Sequence, residues 1–247
     1  MKRIERHKLK GNEFADTVAK AREVLAERQT TVTWSVIAIV AVVVVLGIFV
    51  AWRTSRKNHA TESLAQALAV AEAPVVTPPA PAPGSPAPVQ QPGTFRTEQA
   101  RAEAALPLLI KTADSYPSTD AGITARFRAA STLSDLGRYQ EAEQRYREVI
   151  AKAGNSSIYS RTAKLGLADV LAAEGKYDEA ISTLKELTTD PNSQLPLDGV
   201  LMQLARTATQ GGKTDEATRA YNRIINEFPQ SLYVQEAKQK IAEMKKA

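Results

Sequence analysis

Two adjacent carboxylate pairs, Asp178-Glu179 and Asp215-Glu216, are the side chains whose type and spacing come nearest to chemistry. Paired carboxylates can divide the work of general acid and general base, provided that they converge in a pocket and that one carries a raised pKa. Here each pair opens a predicted helix, where negative side chains are favoured by the positive end of the helix dipole, so a structural role is the better explanation. The two histidines, His7 and His59, stand on opposite sides of a long apolar run and are not expected to meet in a metal site or a triad. The chain has no cysteine, which removes thiol nucleophiles, disulfides and iron–sulfur clusters and denies structural zinc its usual ligands. There is no phosphate-cradling glycine loop, no His-Glu-x-x-His run and no Gly-x-Ser-x-Gly elbow. The expectation is a protein that is not an enzyme, takes no cofactor or metal, and works by binding.

The elements that position those residues begin with the apolar run Trp34 to Trp52. Nineteen residues at about 1.5 Å each make a helix of roughly 28 Å, close to the hydrocarbon thickness of a bilayer. No charge interrupts Val36 to Val50, tryptophan stands at both ends, and Arg53, Arg56 and Lys57 follow at once. A cleaved signal peptide would have a shorter apolar part, nearer the start, and a small-x-small cleavage site. Eight basic residues precede the run, which orients the N-terminus to the cytoplasm and the remainder outside. The net charge of +5 belongs to this part, because residues 94–247 hold 21 basic and 20 acidic side chains. A near-neutral domain is no nucleic-acid binder, and the basic flanks suit anionic headgroups.

Residues 13–29 place Phe14, Val18 and Leu25 on one side of a charged helical pattern, as an interfacial helix or a solvated lead-in would. Residues 58–73 read as a helix with Leu64, Ala67, Leu68 and Ala71 at three- and four-residue spacing. From Pro74 to Gly93 there are eight prolines and no charge. Such chain favours polyproline II and could reach roughly 60 Å fully extended, so it reads as a tether rather than as a ligand for a proline-binding module.

Beyond residue 94 the chain repeats. Gly137-Arg138-Tyr139-Gln140-Glu141-Ala142 returns as Gly175-Lys176-Tyr177-Asp178-Glu179-Ala180 and, degenerately, as Gly212-Lys213-Thr214-Asp215-Glu216-Ala217. Twelve residues before each final alanine stands another, at Ala130, Ala168 and Ala205; four after stand Tyr146, Leu184 and Tyr221. Small residues on two facing helices let the backbones approach, and the larger residue one turn on fills the space beside them. Glycine at the turn accepts a positive φ and ends the first helix of each pair. Tyr116-Pro117 echoes Phe228-Pro229 at the same distance from Ala105 and Ala217, which marks a fourth, atypical unit upstream. Its first helix is assigned to residues 58–73 and its second to 95–116, where Pro107 is expected to kink or interrupt the helix. Ser231 to Lys246, with Ser231 as N-cap and Tyr233, Ala237, Ile241 and Met244 on one face, reads as a terminal cap, with dimerisation as the competing role.

This pattern resembles the tetratricopeptide repeat, although the period is 37–38 residues and the leading tryptophan is missing. The fold expected is all-α: one transmembrane helix followed by a solenoid of helical hairpins. The segments are 1–33 (cytoplasmic, basic), 34–52 (transmembrane), 53–73 (membrane-proximal helix), 74–93 (proline-rich linker) and 94–247 (repeats with a C-terminal cap). By repeat register, the faces of the first helices would expose Phe127, Ser131 and Asp135, then Leu165, Asp169 and Ala172, then Met202, Arg206 and Gln210. The lysine and asparagine clamp that some such repeats use on a C-terminal carboxylate is absent, and Phe127 stands where its first lysine would be.

The whole chain resembles the YfgM-like family, bacterial inner-membrane proteins whose periplasmic repeats are ancillary partners of the Sec translocon and of periplasmic chaperones. That resemblance implies a protein-binding scaffold in the cell envelope, held in the inner membrane by residues 34–52. The unit ends at Tyr116-Pro117 and Phe228-Pro229 look instead like those of cell-division or outer-membrane assembly coordinators. A spacer that self-associates through residues 231–246 is the third alternative.

Overall fold

The computed structural model describes residues 17–19, 29–77, 90–154, 157–190 and 194–246. The chain falls into two units, Met1–Arg56 and Lys57–Ala247. Of the helix expected at 13–29, residues 17–19 and Gln29 are described; 17–19 are helical with exposed side chains, and Gln29 opens the next helix. The rest lies outside the described residues.

Helix α1 (Gln29–Ala71) is the one helix among the described residues long and apolar enough to cross a membrane. Within the first unit its valines, isoleucines and leucine from Val36 to Val50 are exposed on every side. Trp52 packs against Phe49 with ring centroids 6.2 Å apart, and the guanidinium of Arg56 lies 5.2 Å from the Trp52 ring, a cation–π contact. No helix begins at residue 53. Residues 53–71 carry neither glycine nor proline and are rich in alanine, so helical hydrogen bonding has no reason to stop at Trp52.

In the second unit, helices follow one another as α2 (Glu98–Ser115), α3 (Asp120–Asp135), α4 (Tyr139–Ala153), α5 (Ile158–Ala173), α6 (Tyr177–Thr189), α7 (Leu197–Gln210), α8 (Thr214–Glu227) and α9 (Val234–Met244). Each packs on the next in sequence. Three hairpins, α3–α4, α5–α6 and α7–α8, share one turn. Gly137, Gly175 and Gly212 have φ of 72°, 76° and 69°. In each turn the following residue's N–H reaches back to the carbonyl of Leu133, Leu171 or Ala208 at 2.8 Å, and the glycine N–H to Ser134, Ala172 or Thr209. This is a Schellman motif three times over, and it satisfies helix-end carbonyls that would otherwise lack partners.

The alanines meet as their spacing requires. Ala130 and Ala142, Ala168 and Ala180, Ala205 and Ala217 are all fully buried, with Tyr146, Leu184 and Tyr221 filling the core beside them. Tyr146 also reaches the next hairpin: a Cβ at Gly166 of α5 would stand 2.4 Å from its ring, so only glycine fits.

The acidic pairs join units on the surface. Asp178 takes Lys213 at 2.8 Å, Glu179 takes Arg147 at 3.3 Å, and Glu216 takes both Lys185 and Arg219 at 2.7 Å. Beneath them, the nearly buried Glu143 accepts from Lys176 at 2.8 Å, and that ammonium holds its carboxyl below the usual range. A deeper network ties three helices together. Arg126, 3% exposed, binds Glu148 at 2.9 Å and the carbonyl of Ala113 at 2.8 Å, while Arg145 binds Asp114 at 2.7 Å. The first of these pairs has a counterpart one unit on in Lys164 and Glu186, 2.7 Å apart.

The segment from Lys57 to Ala71 packs antiparallel on α2. The hydroxyls of Ser63 and Thr112 are 2.6 Å apart, Arg101 donates to the carbonyl of Ala73, and Ala67 sits in the core with Ala105 and Leu109. Two expectations change here. Helix α2 is not interrupted at Pro107, which faces solvent, where water can serve the carbonyl that the missing N–H leaves free. The proline-rich stretch does not hold two bodies apart as a tether would, because its ends are tied together. Val76 N–H donates to Phe95 O at 2.8 Å, Phe95 N–H to Pro74 O at 2.9 Å, and Val75 and Phe95 form a parallel bridge.

The two Pro-containing unit ends match in detail. Tyr116 and Phe228 have φ, ψ of −129°, 52° and −130°, 59°, and each carbonyl accepts from the N–H three residues on, Thr119 or Ser231. Pro191, the proline of an intervening unit, lies outside the described residues. At the C-terminus Ser231 is not the N-cap of α9, which starts three residues later. Its hydroxyl donates to Asp198 at 2.7 Å and accepts from Tyr233 N–H, fastening the loop to α7. Ala237 is buried, and Tyr233, Ile241 and Met244 pack against the core, so the apolar stripe of α9 closes the stack.

Candidate functional site

The positions on the first helices expected to form a binding face divide among two cavities, a smaller space and a fixed aromatic pair. Phe127 is half-buried and packs edge-on against Tyr146, ring centroids 5.9 Å apart, so it belongs to the hairpin's own packing. Burial raises the pKa of the Tyr146 phenol, against a hydrogen bond to Ser131 that lowers it. Met202, read from register as exposed, is a core residue at 1% exposure. Its neighbours Leu201 and Leu204 are buried too, because α7 packs against both α6 and α8, and the register that predicts a face cannot see that.

The first cavity, about 610 Å³, opens between the Lys57–Ala71 segment, α2 and α3. Leu68, Ala71, Ala105 and Leu109 give it apolar walls, and Arg128, Ser131 and Asp135 of α3 line its polar side. Of the residues expected, it gathers Ser131 and Asp135.

The second, about 580 Å³, lies between α5 and α7 and gathers Asp169, Ala172, Met202, Arg206 and Gln210. Its polar groups are engaged. Arg206 makes a two-pronged pair with Glu236 at 3.0 and 2.8 Å, and Gln203 donates to the carboxylate of Asp169 and, at 3.2 Å, to the carbonyl of Leu165. Partial desolvation raises the carboxyl pKa of Asp169, which stays exposed at the cavity mouth, and outweighs the opposing hydrogen bond from Gln203. Leu165 faces a smaller space of about 300 Å³ with Leu195, Val200 and Tyr233, at whose edge Leu232 is 96% exposed.

Sequence reasoning missed Arg128, Gln203 and Tyr233. Gln203 stands 34 residues after Asp169, short of the 37–38-residue repeat, so no register pointed to it, whereas Arg128 stood seven residues before Asp135, two helical turns along one face, and that spacing was legible. The contribution of Lys57–Ala71 to a wall was not, since it depends on the closed insertion. Among the described residues no three His, Asp or Glu side chains gather where a metal could bind. Asp178, Glu179 and Glu216 sit in ion pairs between neighbouring repeats, and neither carboxylate pair lines the cavities described above.

An all-α stack of helical hairpins with small-residue seams, glycine turns and mixed cavities between first helices is a protein-interaction scaffold, a fold that is typically non-catalytic. The chain belongs to the tetratricopeptide repeat-like domain family, whose model matches residues 29–246. Among solved structures it is similar to TPR-like repeats from a Podosopora anserina protein described as a kinesin light chain. That pair has 17% identity and a TM-score of 0.49 over 60% of this chain and 86% of the other. A variant of the same repeats gives 16% identity and a TM-score of 0.49 over 60% and 87%. No protein of curated function matches the chain.

Proposed function

We propose that this protein is a single-pass scaffold of the bacterial cell envelope, with its basic N-terminal segment in the cytoplasm and its repeats outside the inner membrane. Its partners are then the Sec translocon and periplasmic chaperones, as the resemblance to the YfgM-like family implies. The observation that carries this reading is that the family match spans residues 29–246, taking in the apolar helix as well as the repeats. An anchor and a protein-binding stack thus belong to one inherited unit. The Tyr116-Pro117 and Phe228-Pro229 ends, alike in backbone geometry, favour the second reading, a division or outer-membrane assembly coordinator.

The test is photo-crosslinking in native membranes from probes at Thr132 and Gln210, one in each cavity, with adducts identified by mass spectrometry. Translocon or chaperone adducts support the first reading; division or outer-membrane assembly proteins support the second; adducts between copies of the chain support self-association. The absence of any protein adduct defeats the scaffold reading. Protease protection of a tagged N-terminus in sealed vesicles checks the orientation.

A further inference from the structure

The two cavities differ in one respect that selects between them. In the cavity between α5 and α7, Arg206 is paired with Glu236 and Asp169 with Gln203. In the cavity beside α3, the charged groups of Arg128 and Asp135 make no ion pair or side-chain hydrogen bond among the described residues, while Arg101 at its edge is paired with Glu98. Glu72, at the end of α1, adds a second free carboxylate at the rim.

Arg128 and Asp135 are seven residues apart on one helix, about two turns or roughly 10.5 Å along one face. Between them, at the intervening turn, stand Ser131 and Thr132, two small side chains that line the same cavity. The row therefore reads positive, small, negative, above walls of Leu68, Ala105 and Leu109. A guest helix has the same two-turn spacing on its own face. An acid and a base seven residues apart would meet Arg128 and Asp135, and an aliphatic side chain midway would drop between them into the space that Ser131 and Thr132 leave open. The volume of about 610 Å³ lies within the range of sites that enclose a ligand's side chains.

We propose that the cavity formed by Lys57–Ala71, α2 and α3 is the docking site for a helical segment of a partner protein. That segment carries an acidic, an aliphatic and a basic residue at positions i, i+4 and i+7 of one face. This assignment rests on the scaffold reading and names the chemistry of the partner and the place where it binds.

The test uses the full chain in lipid nanodiscs and a fluorescein-labelled, hydrocarbon-stapled helical peptide. Its one functional face bears Glu, Leu and Lys at i, i+4 and i+7, on an otherwise Ala/Gln background. Anisotropy should show saturable binding, weakened about tenfold by Arg128→Glu, the scale expected when an interfacial charge pair becomes a repulsion. A second peptide with Lys in place of Glu should regain the lost affinity on Arg128→Glu, which a misfolded variant could not do. No saturable binding to the unsubstituted chain overturns the proposal, as does an affinity indifferent to Arg128→Glu, a loss that the matched peptide fails to restore, or a loss caused by Arg206→Glu instead. If the chain still crosslinks partners in membranes while any of these holds, the scaffold reading stands and only the cavity assignment falls.

Discussion

Replacing Gly166 by alanine tests whether the hairpins are locked together by Tyr146. The added Cβ would stand 2.4 Å from Tyr146 Cζ, 2.6 Å from its hydroxyl and 2.7 Å from Cε1. An unstrained carbon contact is about 3.5–4.0 Å, so ring or helix must yield by about an ångström. The ring has little room to give, being wedged against Phe127 and 4% exposed. Overpacking of this kind costs about 1–3 kcal/mol, and the better helix propensity of alanine returns up to about 1 kcal/mol. The expected net loss is about 1–2 kcal/mol, a fall of roughly 2–8 °C in Tm for a domain of this size. The assay is thermal unfolding of the full chain in detergent, followed by circular dichroism at 222 nm. The argument turns on a second background. In Tyr146→Leu the obstructing ring is gone, so Gly166→Ala should become neutral or stabilising there. Equal destabilisation in both backgrounds would refute the steric account and leave the glycine without the role assigned to it.

Gly175→Ala forces a left-handed φ of 76° on a residue with a Cβ and should cost about 1–2 kcal/mol, measured by the same melt. Arg126→Ala removes a buried guanidinium that holds Glu148 and the Ala113 carbonyl, and should cost about 3 kcal/mol; Arg126→Met, which keeps the volume, should recover part of that loss. The Arg145 guanidinium beside Asp114 lowers its carboxyl pKa, so this pair stabilises the fold above the ordinary carboxylate range. That stability is lost as pH falls below about 4, and Arg145→Ala should shrink the acid-side drop in Tm. Asp169 is the reverse case: with its pKa raised by partial desolvation, the folded chain favours the protonated form, and the anion at neutral pH works against folding. Asp169→Asn should therefore raise Tm at pH 7, with the advantage shrinking as pH falls through the raised carboxyl pKa and gone once the unfolded chain's carboxyl is protonated as well.

The parts of the fold legible in sequence are those fixed by local spacing. The Gly-x-Tyr-x-x-Ala runs specified turn, seam and hairpin together, because a positive φ and close backbone approach admit few other residues. The apolar run was equally plain, since nineteen residues without a charge make a helix long and apolar enough to cross a bilayer. What spacing could not supply was enclosure. Met202 holds the same register as Leu165, yet Met202 is enclosed between packed helices while Leu165 is only half-buried. Ser231 has the chemistry of an N-cap, but a long-range partner, Asp198, claims its hydroxyl. Pro107 breaks helices in general and is tolerated here because it faces water. The acidic pairs read correctly as residues that open helices, while their partners Lys213, Arg147 and Lys185 sit in the neighbouring repeat, beyond the reach of a helix-dipole argument.

The backbone clamp at Val76 and Phe95 changes what the length of the proline-rich stretch means. Once both ends of a segment are pinned to each other, added residues no longer set a distance; they only enlarge a ring. The entropy of closing that ring grows with the logarithm of its size, so doubling the segment would cost only about 0.6 kcal/mol. Insertions between Thr77 and Gln90 should leave Lys57–Ala71 on α2 as it is. The protein thus carries a splice point where epitope tags, reporters or whole domains can be added without altering the fit between the neighbouring helices.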